Sequence, residues 1–90
     1  MKRFLLAHDL GTSGDKATLF TADGALVASR TKPYATRYAN DNRAEQNPGD
    51  WWSAVQETTR AILTGTDRGE IAAVCFSGQM MGCLCVDARG

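Results

Sequence analysis

Ninety residues, 43% of them hydrophobic, suffice for one small globular unit, although a unit of this size buries only part of its surface and is marginal alone. Ten Lys and Arg balance ten Asp and Glu, and no block of like charge occurs, which excludes an electrostatic footprint for nucleic acid or an anionic membrane. The expected partner is a small molecule or another protein.

The chain opens on Met1, Lys2 and Arg3 followed by Phe4, Leu5, Leu6 and Ala7, which briefly imitates a secretory signal. His8 and Asp9 stop the apolar run far short of a signal core or a membrane span, so a cytoplasmic protein is expected. Residues 3–10 read as a strand and residues 16–20 as a second, with Ala17 and Leu19 alternating against Thr18 and Phe20. Asp23 and Gly24 form a tight-turn signal before a third apolar run, residues 25–29, so three antiparallel strands open the chain.

Residues 33–46 carry Pro33, two tyrosines and the run Asn40, Asp41, Asn42 with little periodicity, and read as an irregular connection. Asn47 then suits a helix N-cap, Pro48 the first helical position, and Asp50 the positive end of the helix dipole. Trp51, Trp52, Val55, Thr59, Ile62 and Leu63 recur at helical spacing as the predicted buried face, with Gly65 as the stop. The continuous apolar run 71–76 reads as a strand covered on both sides and parallel to the first. A further strand is expected over residues 83–86, with Cys83 and Cys85 on one face, before a turn at residues 87–90. That ending suggests a piece of something larger.

Three cysteines without a C-x-x-C pair argue against a disulfide framework or a zinc site, and predict small buried hydrophobes in a reducing compartment. His8, the sole histidine, reads as a structural strand residue.

The chemistry concentrates in the turn Asp9-Leu10-Gly11-Thr12-Ser13-Gly14. A Gly-rich turn presents backbone N–H groups, and Thr12 and Ser13 add hydroxyl donors, so the loop can cradle phosphate oxygens. Asp9 at its lip would repel bare phosphate, a conflict removed by a divalent cation between them, with Lys16 as a cationic partner. The same residue types also fill ordinary hairpin turns for conformational reasons alone.

Three blocks, AHDLGTSGDKATLFTADGALVAS, EQNPGDWW and IAAVCFSGQMMG, together resemble the N-terminal portion of the FGGY carbohydrate kinases, nearest the xylulokinase-like branch. The resemblance implies an α/β fold of the ribonuclease-H-like type shared by actin, Hsp70 and hexokinase, with residues 1–90 forming the first part of domain one. It implies ATP-dependent phosphorylation of a sugar or polyol hydroxyl, with ATP and Mg²⁺ in a cleft between two domains. On that pattern Asp9 helps hold Mg²⁺, through water, and Gly11, Thr12, Ser13, Gly14 and Lys16 form the ATP-phosphate turn. Gln79, Met80 and Met81 match the sugar-side stretch, where the branch commonly has histidine in place of Met81. Asn42, Arg43 and Ala44 stand where the family often has Gly-Trp and an apolar residue, and both departures leave the sugar open.

The catalytic base and the adenine pocket match nothing in these residues, so the isolated 90 residues are expected to be inactive. Two alternatives stay open: a non-catalytic nucleotide-binding relative of actin, and an association module that uses its exposed strand edges to form a homo-oligomer.

Overall fold

The computed structural model describes residues 2–90. Strands β1 (Phe4–Leu10), β2 (Gly14–Thr21) and β3 (Leu26–Pro33) form an antiparallel meander, as the alternation and the turn signals predict. Gly24 takes φ 95° in the β2–β3 turn, a conformation that costs glycine nothing. After the connection comes helix α1 (Pro48–Ile62), capped by the Asn47 side chain, which accepts from the Gly49 N–H at 2.9 Å.

Two short strands, β4 (Arg37–Tyr38) and β5 (Ala44–Glu45), pair antiparallel within residues 33–46. The predicted irregular connection is thus a small hairpin, with Asn42 at φ 65° in its loop. Beyond α1, a 3-10 turn (Arg68–Glu70) leads into β6 (Ile71–Gly78), which pairs parallel with β1. The main sheet therefore runs β3-β2-β1-β6, and the ends of β1 and β6 finish side by side.

Side chains alternate faces along each strand. Phe4, Leu6, Ala17 and Leu19 point to one face and form the core with Ile62 of α1, while Ala54, Val55 and Thr58 complete the helix's buried stripe. Full burial of a side chain such as Leu19 stabilises by about 1.5–3 kcal/mol. The predicted helix face is corrected at its N-terminal end: Trp52 is 62% exposed and Trp51 half-buried, because the first turn of α1 extends beyond the sheet toward the β4–β5 hairpin.

Two further expectations fail for a shared reason. α1 packs over β2 and β3, so β6 is not covered on both sides, and Val74 and Phe76 remain exposed. Residues 83–86 form no strand and all three cysteines are exposed, since no described element packs against them. Cys83 and Cys85 stand with Sγ atoms 3.9 Å apart.

Gly14 is required by a close approach. A Cβ there would lie 2.6 Å from the Lys32 carbonyl oxygen and 2.8 Å from the Pro33 Cα, both backbone atoms. Gly14→Ala is therefore expected to force β3 away from β2 and to lower unfolding free energy by about 1–3 kcal/mol. Asn47→Ala should cost about 1 kcal/mol through the lost cap. Denaturant unfolding of both variants checks the order; a Gly14→Ala protein as stable as the parent would show that β3 yields freely.

Candidate functional site

The β1–β2 connection is Gly11, Thr12 and Ser13, the last two exposed, closed by a hydrogen bond from the Gly11 N–H to the Gly14 carbonyl at 3.0 Å. Each of its three carbonyls is engaged. The Tyr34 hydroxyl donates to the Gly11 carbonyl, the Gln46 Nε2 donates to the Thr12 carbonyl at 2.8 Å, and the Tyr34 N–H donates to the Ser13 carbonyl at 3.2 Å. Every described peptide is trans, and a trans peptide directs its N–H opposite its C=O. The Thr12 and Ser13 N–H groups therefore point away from Tyr34 and Gln46, beside two free-standing hydroxyls.

Asp9 and Lys16 are register partners on β1 and β2 and project from the sheet face opposite α1. The Ser77 hydroxyl of β6 donates to Asp9 Oδ1 at 3.2 Å. With Ala7, Thr18, Phe20 and Cys75 they line a shallow cavity of about 320 Å³. Next to the turn lies a larger cavity of about 650 Å³, walled by Leu10, Thr12, Tyr34, Trp51, Gln79 and the β4–β5 hairpin, among others. Asp9 and Ser77 line the smaller cavity and their neighbours Leu10 and Gly78 the larger, so the ends of β1 and β6 are the partition between them.

Gln46 organises the larger cavity. Its Nε2 also donates to Thr36 Oγ1 at 2.7 Å, and its Oε1 accepts from Trp51 Nε1 at 2.9 Å and from Gln79 Nε2 at 2.8 Å. One amide thus links the turn, the hairpin, the first turn of α1 and the end of β6. The position of Gln46 just outside a capped helix carries no signal in the sequence of contacts 33 and 34 residues away in the chain.

Of the sequence-predicted residues, Asp9, Gly11, Thr12, Ser13, Gly14 and Lys16 gather on the turn and its two strands, and Gln79 lines the larger cavity. Met80 and Met81 do not join it. Both are fully exposed, with Met81 at φ 63°. His8 is the strand residue expected, in β1, and is buried in contact with Asp15, a residue that the sequence does not single out.

Partial burial, then the negative charges of Asp15 and Asp9, raise the Tyr34 hydroxyl above the ordinary tyrosine range. A folded-state pKa above the unfolded one means that the stabilising contribution is complete below the unfolded value, near 10.0, and is lost as pH climbs through the folded value. Ionised Tyr34 cannot donate to the Gly11 carbonyl. Stability is therefore expected to fall above about pH 10, and Tyr34→Phe to flatten that limb; unfolding midpoints between pH 8 and 11.5 check it, and parallel curves for parent and variant would remove Tyr34 from the effect.

Comparison with known proteins matches residues 4–90 to the N-terminal domain of the FGGY family of carbohydrate kinases. The xylulose kinase of Escherichia coli (strain K12) is 32% identical over 81 residues, 90% of this chain and 17% of that enzyme. Among solved structures, a xylulose kinase from Brucella ovis superposes with a TM-score of 0.88 at 28% identity, covering 96% of this chain and 18% of that one. A gluconate kinase from Lactobacillus acidophilus gives 0.79 at 34% identity, covering 86% and 15%. The chain thus spans less than a fifth of the length of these relatives. Its sheet and crossover helix are the opening of the actin- and hexokinase-like fold of such kinases. The chain belongs to the FGGY family of carbohydrate kinases, and its residues 4–90 correspond to that family's N-terminal domain.

Proposed function

We propose that this chain forms one wall of the catalytic cleft of an ATP-dependent kinase for a sugar or polyol, contributing the first phosphate turn and part of the acceptor site. The observation that carries the reading is the partition: the ends of β1 and β6, next to the turn, stand between a cavity bearing Asp9 and Lys16 and a cavity bearing Gln79, Gln46 and Trp51. A phosphoryl donor and a polyhydroxylated acceptor must meet across such a divide. The relatives' names point to xylulose, gluconate and glycerol, acceptors that share a chain of hydroxyls.

The residues suit the ligands. Among the described residues no three His, Cys, Asp or Glu side chains gather into a metal cage. One exposed carboxylate, Asp9, is a donor set that Mg²⁺ accepts, directly or through water, because its other ligands come from water and phosphate. When bound, Mg²⁺-ATP supplies the γ-phosphoryl group, which passes to a hydroxyl oxygen of the acceptor as that hydroxyl loses its proton and ADP remains.

The chain's own residues position. Thr12 and Ser13 offer N–H and O–H donors to phosphate oxygens, Lys16 offers positive charge, and Ser77 orients the Asp9 carboxylate. Gln79, held by Gln46, offers amide groups to acceptor hydroxyls, and Trp51 an apolar wall. Met80 and Met81 lie on the exposed turn after Gln79, outside the lining of the larger cavity. The base that takes the hydroxyl proton is assigned to none of the described residues. With ATP as donor and three free thiols, the reading implies a cytoplasmic enzyme.

In the full-length protein, ADP release is measured over a panel of sugars and polyols. Asp9→Ala is expected to lower kcat by about 100-fold or more with an unchanged unfolding midpoint; near-parental turnover would sink the metal role. Gln79→Ala should raise the acceptor KM about tenfold and leave the ATP KM within about twofold, since it removes hydrogen bonds on one side of the partition only. An unchanged acceptor KM would take Gln79 out of the site. ATP turnover indifferent to every polyol would favour a nucleotide switch instead.

A further inference from the structure

The residues adjacent to Asp9 and Lys16 are as unusual as those two are expected. His8 and Asp15 project from the same strands to the opposite face, into the interface with α1, where they are 2% and 0% exposed. His8 Nδ1 lies 2.8 Å from Asp15 Oδ2, and the Thr58 hydroxyl lies 2.8 Å from the same oxygen. His8 Nε2 lies 3.0 Å from the Thr59 hydroxyl, and the imidazole stacks on Phe76 with centroids 5.0 Å apart. Asp15 Oδ1 has no hydrogen-bond partner among the described residues.

The donor pattern follows from the chemistry. The contacts suit a ring whose Nδ1 donates to the Asp15 carboxylate and whose Nε2 accepts from the Thr59 hydroxyl. Thr58 also has the Ala54 and Val55 carbonyls within 2.9 and 3.2 Å, but the carboxylate is the strongest acceptor for its single hydrogen. The chain of contacts runs Thr59, His8, Asp15, Thr58, starting and ending on adjacent residues of one helix.

Stability does not call for this arrangement. The layers beside it are Leu6, Ala17 and Leu19, and replacing both members of a buried hydrogen-bonded pair by apolar residues of like shape is commonly neutral or stabilising. What a hydrogen-bonded pair adds is direction: apolar contacts tolerate sliding, whereas these contacts fix β1 and β2 to α1 at the positions that flank the turn.

We propose that His8 and Asp15, anchored by Thr59 and Thr58, are positioning residues for the nucleotide-phosphate turn, holding Asp9 and Lys16 on the other face at the attitude that phosphate binding needs. The proposal rests on the kinase reading above. It assigns a role to two side chains that touch no ligand. Because α1 also carries Trp51 at its first turn, the same helix ties the turn to the acceptor cavity.

The test uses the full-length protein carrying His8→Ile with Asp15→Val. The double variant orphans no buried donor, since Thr58 keeps the Ala54 carbonyl and Thr59 is partly exposed to water. The expected result is an unfolding midpoint equal to or above the parent's, a rise of about tenfold in both the ATP KM and the calorimetric ATP Kd, and an acceptor KM within about twofold. Amide exchange at residues 11–14 should quicken. Asp15→Asn keeps an acceptor oxygen for both donors and should retain ATP affinity to within about threefold.

Parental ATP affinity and turn exchange in the double variant would overturn the proposal, as would an Asp15→Asn loss as large as the double variant's. Should the double variant fail to fold, Thr59→Val decides: it cuts the outer bond at a half-buried helix position and should raise the ATP Kd about threefold with the midpoint unmoved, and a parental Kd overturns the proposal. A parent that binds ATP but phosphorylates no polyol would defeat the kinase reading alone, since the titration and exchange measurements still stand.

Discussion

Because successive residues of a strand face opposite ways, the register that sets Asp9 across from Lys16 also sends His8 and Asp15 to the other side. One antiparallel pairing thus decides which charges meet solvent and which are shut against the helix. A slip of β1 by a single residue would put Asp9 on the core face with Ala17 and Leu19 and turn Leu6 to the opposite face. The apolar core therefore specifies the polar site without touching it, and Gly14 lets β3 approach closely enough to hold that register.

The turn then inherits its orientation from groups that are distant in sequence. Tyr34 and Gln46 engage three successive carbonyls, and across each trans peptide the Thr12 and Ser13 N–H groups face away from the donor to the preceding carbonyl. A glycine-rich loop left to itself samples many backbone conformations. Here it is fixed by a phenol and an amide from the connection between β3 and α1, so the β4–β5 hairpin, which looks like a mere linker, is part of the wall that shapes the cleft.

The parts of the fold that were legible in the sequence were those set by local physics. Alternation of Ala17 and Leu19, the Asp23 and Gly24 turn, and the Asn47 and Pro48 helix start are each decided within a few residues, and each is found where expected. The FGGY resemblance, carried by three separated blocks, was legible as well. The β4–β5 hairpin, with two residues in each strand, was too short to show a period. Coverage of β6 and burial of the cysteines depend on what packs from outside these elements, which no local pattern encodes. Gln46 and Asp15 escaped for the opposite reason: a glutamine before a helix and an aspartate after a glycine look ordinary until chain segments 33 and 43 residues away are brought to them.

The parallel pairing of β6 with β1 has a consequence for how the site comes into being. The β1–β2–β3 meander joins neighbours in sequence through short turns, whereas Ser77 reaches Asp9 across 68 residues. Closing so long a loop is entropically slow compared with forming a hairpin. The meander and its turn should therefore form early in folding, with Asp9 open along its β6 side. The serine that orients its carboxylate arrives only when β6 docks, so the ordering of this site is a late report that the parallel pairing has formed.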